Sequence, residues 1–236
     1  MEKYNISVFF PVYKDEVTIP KLVTTIIPIL KSITKDYEII LVEDGCPGSS
    51  AKVVDELAKK YKNVRAIHHK NNIGYGGALK SGIYNSTKEL IFYTDGDAQY
   101  DVKEIKKLLP LIDDTDVVIG YKIKRSDSLY RLILGYMYQY GARFLFNIKI
   151  RDVDCDFRLF RKKIFKDIKL HSNNGAICIE MMKKIQQRGF KIKQVPVHHY
   201  PRLDGTSSFF SFRKVADTLT TFVKLWIKFM IWQEYE

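Results

Sequence analysis

The sequence predicts an α/β protein in which helices flank a mostly parallel β-sheet. Short apolar runs alternate with segments of helical periodicity, and the connections between them are short, as in strands joined by covering helices. Acidic or turn-forming residues follow three of the apolar runs, at the strand ends where such sheets bind ligands. A chain of 236 residues is long enough for one large domain with an ample core.

The first half of the chain contains predicted strands and helices in alternation. The strands are short runs of β-branched, aliphatic or aromatic residues, at 6–12, 37–42, 64–68, 90–93 and 117–120. The helices have apolar residues at helical spacing, at 17–33, from Ser49 or Ser50 to about 60, from the glycine-rich loop 71–77 through 84, and at 102–111. The glycine-rich loop lacks the Lys-Ser/Thr ending of a P-loop, so it fits a simple turn and a phosphate-facing helix start equally well.

The second half of the chain is less regular and more basic. Residues 130–146 and 177–188 have helical spacing, and residues 192–197 form a late predicted strand. Residues 1–120 carry a net charge of −1, whereas residues 121–236 carry +13. This asymmetry indicates an anionic partner, and nucleic acid, an anionic membrane surface and a phosphorylated substrate all fit it. The three cysteines are scattered and match no disulfide or metal spacing, which indicates a reduced, cytosolic setting.

The C-terminal residues 209–232 predict an amphipathic helix. One face of it carries the charged residues Arg213, Asp217, Lys224 and Lys228, and the other face is aromatic and aliphatic. The charges argue against a membrane-spanning helix, while a basic amphipathic helix with Trp and Phe suits the membrane interface. The alternative is a helix packed on its own domain or in a dimer.

Two carboxylates at the end of the predicted strand 90–93 form a candidate metal site. Asp95 and Asp97 are two positions apart, and Gly96 lets the backbone turn so that both side chains reach one ion. Hard oxygen ligands of this kind suit Mg²⁺ or Mn²⁺, usually completed by substrate phosphates and water. Gln99 offers a further amide oxygen nearby. The alternative is a polar turn that closes a strand, since turns favour Asp and Gly.

Six stretches, in order along roughly residues 5–210, together resemble the family-2 glycosyltransferases of the GT-A fold, in particular the dolichyl- or polyprenyl-phosphate sugar synthases. Residues 11–16 resemble the opening P-x-Y-N-E motif, Glu43-Asp44-Gly45 resembles D-D-G, and Asn72 with Gly74 resembles N-x-G. Residues 95–99 resemble D-x-D-x-Q, residues 155–158 resemble S/C-G-F-R, and residues 202–207 resemble R-x-x-G-x-S. The chain departs from the family pattern at Asp156, which stands where glycine is usual.

The resemblance implies a GT-A, Rossmann-like domain over residues 1–208, with a nucleotide-sugar half at 1–120 and an acceptor half at 121–208. Residues 209–236 would form the amphipathic helix at the membrane interface. The implied reaction is inverting transfer of a sugar from a UDP- or GDP-linked donor, with Asp97 as a catalytic residue. The implied ligands of Mg²⁺ or Mn²⁺ are Asp95, Asp97 and Gln99, and the implied donor-binding residues are Pro11, Tyr13, Asp15, Asp44, Asn72, Asp95 and Gly96.

A polyprenyl or dolichyl phosphate is the expected acceptor, because the basic second half offers cations for its phosphate. These candidates are Lys122, Arg125, Arg131 and Arg202, with Ser207. A phosphate oxygen is already ionised, whereas the alternative, a soluble glycan hydroxyl, needs a general base, for which Asp154 or Glu180 is available.

A non-catalytic nucleic-acid- or anion-binding protein is less favoured, because the basic residues form no recognisable nucleic-acid motif. We therefore expect no nucleic-acid partner and a location at the cytoplasmic face of a membrane. The identity of the sugar, the choice between UDP and GDP, and the oligomeric state are left open by the sequence.

Overall fold

The computed structural model of the chain describes residues 4–123, 129–202 and 212–235, without the side chains of residues 129–134, 138 and 212–214. The strands are β1 (Ile6–Val12), β2 (Tyr37–Glu43), β3 (Val64–His68), β4 (Leu90–Thr94), β5 (Val117–Ile123), β6 (Phe157–Arg161) and β7 (Ile192–His198). The helices are α1 (Ile19–Ile33), α2 (Ser50–Lys60), α3 (Tyr75–Asn85), α4 (Ile105–Leu108), α5 (Leu129–Phe146), α6 (Ile164–Asp167), α7 (Ile177–Gln187) and α8 (Phe212–Trp226).

The described strands form one sheet in the order β3-β2-β1-β4-β6-β5-β7. The pairs β1–β2, β1–β4, β2–β3 and β5–β7 are parallel, whereas β6 runs antiparallel to both of its neighbours. The mostly parallel sheet predicted from the sequence is therefore confirmed. Strand β6 was not predicted, because the charged segment before it has the composition of a solvated loop.

Helices cover both faces of the sheet, so its central strands are buried on both sides. Every residue of β1, β2 and β4 is buried. Val8 and Phe10 pack in the layer beneath α1 and α2, while Phe9 packs in the opposite layer with α3 and α7. This alternation is the two-residue period of a strand, and it explains why these runs are apolar throughout.

The segment predicted as one helix at 102–111 is instead three short helical pieces. A 3₁₀-helix at Val102–Glu104 leads into α4, and a second 3₁₀-helix at Leu109–Asp114 follows. Pro110 lies in the first turn of the second 3₁₀-helix, where its missing N–H is tolerated. The proline therefore separates two helical turns that periodicity alone had joined.

The C-terminal segment packs on the body of the protein. Helix α8 continues as a π-helix at Ile227–Ile231. The Phe146 ring of α5 contacts the rings of Phe222 and Phe229 with centroids 4.9 Å and 6.5 Å away, and Trp226 Nε1 donates a hydrogen bond to the carbonyl oxygen of Leu145. Within the described residues, no helix has the length and apolar character needed to cross a bilayer. The domain boundary expected at 208 falls outside the described residues and stays a prediction.

Candidate active site

The loops that follow β1, β2 and β4 meet at one edge of the sheet, because these three strands are neighbours and parallel. The Asp44 N–H after β2 donates to the Val12 carbonyl at the end of β1. A Cβ atom placed on Gly96 would lie 2.7 Å from the Pro11 carbonyl oxygen and 3.2 Å from Asp15 Oδ2. Residue 96 must therefore be glycine for the loops after β1 and β4 to approach this closely.

Asp95 and Asp97 lie at the centre of this edge. Tyr75 Oη donates to Asp95 Oδ1 at 2.9 Å, and the Gln99 N–H donates to Asp97 Oδ1 at 3.1 Å. Burial, followed by the nearby charges of Asp156 and Asp97, raises the pKa of Asp95 well above its usual range. Burial also raises the pKa of Asp97. The two carboxylates thus share a poorly hydrated site in which a bound cation would relieve their repulsion.

Two further carboxylates surround this pair. Burial raises the pKa of Asp15 to about 6. The hydrogen bond from the Tyr13 N–H lowers this pKa, and the charge of Asp97 raises it further. Asp156 accepts a hydrogen bond from Tyr93 Oη at 3.1 Å, and Arg158 Nη2 lies 3.3 Å from the same carboxylate oxygen. Asp156 directly precedes β6, and its place beside the pair could not be predicted from the sequence.

The guanidinium group of Arg202 contacts Asp97, one of the metal-ligand candidates. Its Nη2 lies 2.7 Å from Asp97 Oδ2, and its Nη1 lies 3.7 Å from Asp15 Oδ1. Gln99 faces the same segment, since its side-chain nitrogen donates to the Tyr200 carbonyl at 3.0 Å, which leaves the amide oxygen as the metal-ligand candidate. The structure therefore brings Arg202, predicted to bind an acceptor phosphate, into contact with the donor side of the site.

Asp44 and Asn72, both predicted to bind the donor, are hydrogen-bonded to each other. Asp44 accepts bonds from Asn72 Nδ2, from the N–H groups of Ile73 and Gly74, and from the His69 ring at 2.7 Å. The carboxylate thus occupies the anion position at the start of α3. The glycine-rich loop is therefore a turn closed by the chain's own carboxylate, and nucleoside contacts of Asp44 and Asn72 stay predictions.

The same loop packs closely on another part of the chain. A Cβ atom on Gly74 would lie 2.4 Å from the carbonyl oxygen of Asn173, and one on Gly76 would lie 2.5 Å from that of Ser172. The Gly76 N–H donates to the Asn173 carbonyl at 2.9 Å. These two glycines allow the backbone at the start of α3 to pack closely against the backbone of the segment before α7.

The two candidates for a general base have different surroundings. Asp154 is partly exposed, and burial raises its pKa to about 7, while the neighbouring Lys122 opposes the shift. Glu180 is buried, accepts bonds from the N–H groups of His171 and Ser172, and pairs with Lys184 at 3.1 Å. Although burial opposes ionisation, these contacts lower the Glu180 pKa. Asp154 has the pKa of a base that works near neutral pH, and Glu180 does not.

Of the predicted acceptor-binding residues, Lys122 is held internally. Its Nζ donates to the Asp154 carbonyl at 2.8 Å and lies 3.7 Å from Asp152 Oδ1. Arg125 and Ser207 lie outside the described residues, and Arg131 lies in α5 without a described side chain. Their contact with an acceptor phosphate stays a prediction.

The oxygen ligands available at the site fit a divalent ion that is shared with a substrate. In the described part of the chain, no three His, Cys, Asp or Glu side chains are grouped to hold a metal by themselves. Asp95 and Asp97 supply two hard oxygen ligands, and Mg²⁺ characteristically binds one or two carboxylates and completes its shell with phosphate and water. An open site of this kind fits an ion that arrives with a diphosphate.

Solved structures of similar fold include two sugar-transferring enzymes. Glucosyl-3-phosphoglycerate synthase from Mycobacterium tuberculosis, in complex with Mn²⁺, UDP-glucose and phosphoglyceric acid, has a TM-score of 0.69 and 14% identity, covering 93% of this chain and 79% of that chain. Mannosyl-3-phosphoglycerate synthase from Rubrobacter xylanophilus has a TM-score of 0.72 and 14% identity, covering 95% of this chain and 73% of that chain. These matches support the GT-A architecture expected from the sequence.

The family assignment rests on the sequence match. The family described as Glycosyl transferase family 2 matches residues 7–169, more than half of the chain. The match spans β1 through β6 and includes the loops that bring Asp15, Asp44, Asp95 and Asp97 to one edge of the sheet. The chain therefore belongs to glycosyl transferase family 2 and is a glycosyltransferase.

Proposed function

We propose that this glycosyltransferase moves a sugar from a nucleoside diphosphate sugar to an acceptor hydroxyl, with inversion and with a divalent ion at Asp95 and Asp97. The observation that carries the proposal is the group of buried and partly buried carboxylates at the end of β4, where desolvation and the charges of Asp156 and Asp97 raise the pKa of Asp95. Such a group is costly to ionise unless a cation joins it. The similar solved structure that contains Mn²⁺ and UDP-glucose supports the choice of ion and donor class.

The electrostatic problem of the reaction is the negative charge that builds up on the departing diphosphate. A divalent ion held by Asp95 and Asp97, with Gln99 nearby, supplies positive charge there when it is bound. The chain's own contribution is to fix both carboxylates, through the Tyr75 hydroxyl on Asp95 and the Gln99 N–H on Asp97. Pro11, Tyr13 and Asp15 border this edge of the sheet and are our candidates for the walls of the nucleoside pocket.

Asp154 is our candidate for the base that activates the acceptor hydroxyl. Its pKa of about 7 lets it accept a proton near neutral pH. The charge of Asp156 raises the pKa of both Asp154 and Asp95, so the two carboxylates share one charged neighbour. The two similar structures are named for 3-phosphoglycerate, a small water-soluble molecule, and these names support a hydroxyl acceptor over a polyprenyl phosphate.

A polyprenyl phosphate is the second candidate acceptor. The exposed aromatic side chains of α5 and of the C-terminal segment favour it, since they suit contact with lipid. Its phosphate oxygen is ionised already, so its transfer reaction would need cations and no base. Replacing Asp154 therefore separates the two acceptors, because only a hydroxyl acceptor depends on it.

The proposal is tested by assaying a panel of UDP- and GDP-linked sugars with Mn²⁺, for donor hydrolysis and for transfer to hydroxyl acceptors or to a polyprenyl phosphate. We expect turnover with at least one donor, its loss with a chelator, and its loss in Asp97→Asn. Asp167→Asn, an exposed carboxylate at the end of α6, is the matched control and should keep full activity. Turnover by Asp97→Asn at the wild-type rate would overturn the proposal.

A further inference from the structure

We propose that α5 and the C-terminal segment together form a docking surface for an anionic lipid bilayer. The surface, here called the aromatic face, consists of Tyr136, Met137, Tyr140, Phe144 and Leu145 of α5 with Leu219, Val223, Ile231 and Trp232 of the C-terminal segment. All nine are apolar or aromatic side chains that are exposed in the structure. Large exposed apolar surfaces of this kind mark sites of interaction.

The exposed residues of α5 lie on one side of the helix. Met137, Tyr140 and Phe144 are spaced by three and four positions, and Met137 and Phe144 are 67% and 86% exposed. The opposite side, with Ala142 and Phe146, is buried in the core. The helix thus carries apolar side chains both on its buried side and on its exposed side. A helix that is apolar all round is typical of one buried on all sides.

The C-terminal segment extends the same surface. Its buried side carries Leu225 and Phe229, whereas Val223 and Trp232 are exposed, Trp232 by 64%. The hydrogen bond from Trp226 Nε1 to the Leu145 carbonyl places this segment directly beside the end of α5. The exposed residues of the two elements therefore lie on neighbouring parts of the protein.

The charge of these two elements selects a bilayer over a second copy of the chain. Residues 129–149 and 212–235 contain seven basic residues and two acidic ones, a net charge of +5. A symmetric dimer would bring two copies of these positively charged segments together, which costs electrostatic energy. An anionic bilayer supplies the opposite charge together with an interfacial zone in which Trp and Tyr side chains are favoured.

A short chain of contacts connects this surface to the active site. Asn174 Nδ2 donates to Asp217 Oδ2 at 2.6 Å and to Thr221 Oγ1 at 2.8 Å, so the segment before α7 is joined to α8. Its neighbour Asn173 accepts the Gly76 N–H at the start of α3, next to Tyr75, whose hydroxyl binds Asp95. Docking on this surface would hold the proposed metal site near the membrane.

The test is vesicle flotation of the full chain without metal or nucleotide, so that its result does not depend on the proposed reaction. Vesicles of phosphatidylcholine with about one third phosphatidylglycerol are compared with vesicles of phosphatidylcholine alone. We expect partition onto the anionic vesicles to be about tenfold stronger and to fall with added salt. No flotation with anionic vesicles would overturn the inference.

Variants locate the contact. Phe144→Ser and Trp232→Ser combined should lower partition by roughly tenfold, and each alone by less. Val17→Ser removes an apolar side chain of similar exposure, 62%, outside the face and should change nothing. Equal partition of the double variant and the wild type would contradict the inference. It would also be contradicted if sedimentation showed that the wild type is a dimer and the double variant a monomer. Thermal unfolding of each variant confirms that the exposed changes leave the fold intact.

Discussion

Arg202 donates a hydrogen bond from Nη2 to Oδ2 of Asp97 over 2.7 Å. This guanidinium partly offsets the effect of burial on the Asp97 carboxyl, because its charge lowers a pKa that burial raises. In the structure, Arg202 therefore supplies to Asp97 the positive charge that the proposed divalent ion would bring. A divalent ion bound at Asp97 would compete with Arg202 for this carboxylate.

Arg202→Gln should therefore bind Mn²⁺ more tightly than the wild type in the absence of nucleotide. Removing a competing charge-assisted bond worth about 1 kcal/mol predicts a several-fold gain in affinity. The loss of the free-ion signal in electron paramagnetic resonance titrations measures it. Arg188→Gln, an exposed arginine just after α7, is the control and should bind as the wild type does. Unchanged or weaker binding by Arg202→Gln would show that the two cations do not compete.

Asp154→Asn should lower kcat for a hydroxyl acceptor by about 10² to 10⁴. The wild-type kcat/KM should fall as the pH drops below about 7, because burial raises the Asp154 pKa to about 7 and the base must be ionised. In Asp154→Asn, kcat/KM should not show this fall below about pH 7. A wild-type profile that stays flat through pH 7, with an active variant, would favour the phosphate acceptor.

Two controls accompany the Asp154 measurement. Ionising Asp154 costs folding free energy as pH rises from about 4 through its folded pKa of about 7, so Asp154→Asn should be at least as stable as the wild type at pH 8. Glu180→Gln should instead reduce stability through its bonds to His171, Ser172 and Lys184, with a much smaller effect on kcat. Urea unfolding separates the two effects.

Glu38→Gln should lower the free energy of unfolding at pH 7 by about 1 to 3 kcal/mol. Burial disfavours the Glu38 charge, but hydrogen bonds from Ser7, Thr87 and Arg65 outweigh it and lower the pKa from 4.5 to about 2. This contribution is complete above pH 4.5 and is lost as the pH falls toward 2. Urea titrations at several pH values test it, with the exposed Glu89→Gln as control. Equal stability of both variants at pH 7 would refute the assignment.

Gly82→Ala and Gly141→Ala should change stability in opposite directions. A Cβ atom on Gly82 of α3 would lie 2.2 Å from the Phe9 ring, so the overpacking cost of about 1 to 3 kcal/mol exceeds the helix-propensity gain of about 1 kcal/mol. A Cβ atom on Gly141 of α5 would meet no described atom within 4 Å beyond its chain neighbours and its own helix backbone, so only the gain applies. The difference between the two midpoints of thermal unfolding measures this contrast. A destabilised Gly141→Ala would contradict the packing described for α5.

The features predicted correctly include strands that are visible in short stretches of sequence. The strand ending at Thr94 is one of them, because a run of apolar and aromatic residues suffices to identify it. That Asp95 and Asp97 bind one metal ion stays a prediction. Tyr75, which binds Asp95, is twenty positions away and offered no such signal. Contacts of this second kind required the folded chain.

Strand β6 shows how a charged residue can hide a buried strand. Arg158 is fully buried and donates to the carbonyl oxygens of Val153 and Cys155. The sequence does not distinguish a buried arginine, whose hydrogen bonds are made inside the protein, from a solvated one, so no strand was predicted where the structure has β6. Asp44 is a similar case, because its four bonds to the glycine-rich loop and to His69 come from residues 25 to 30 positions later.

The most direct test of the metal-assisted reaction is a crystal grown with Mn²⁺ and the nucleotide sugar that the panel identifies. Anomalous diffraction at the manganese edge should show a single strong peak bridging the carboxylates of Asp95 and Asp97 and the donor diphosphate, with Arg202 displaced from Asp97. A donor bound in the crevice without a manganese peak at these two carboxylates would contradict the account.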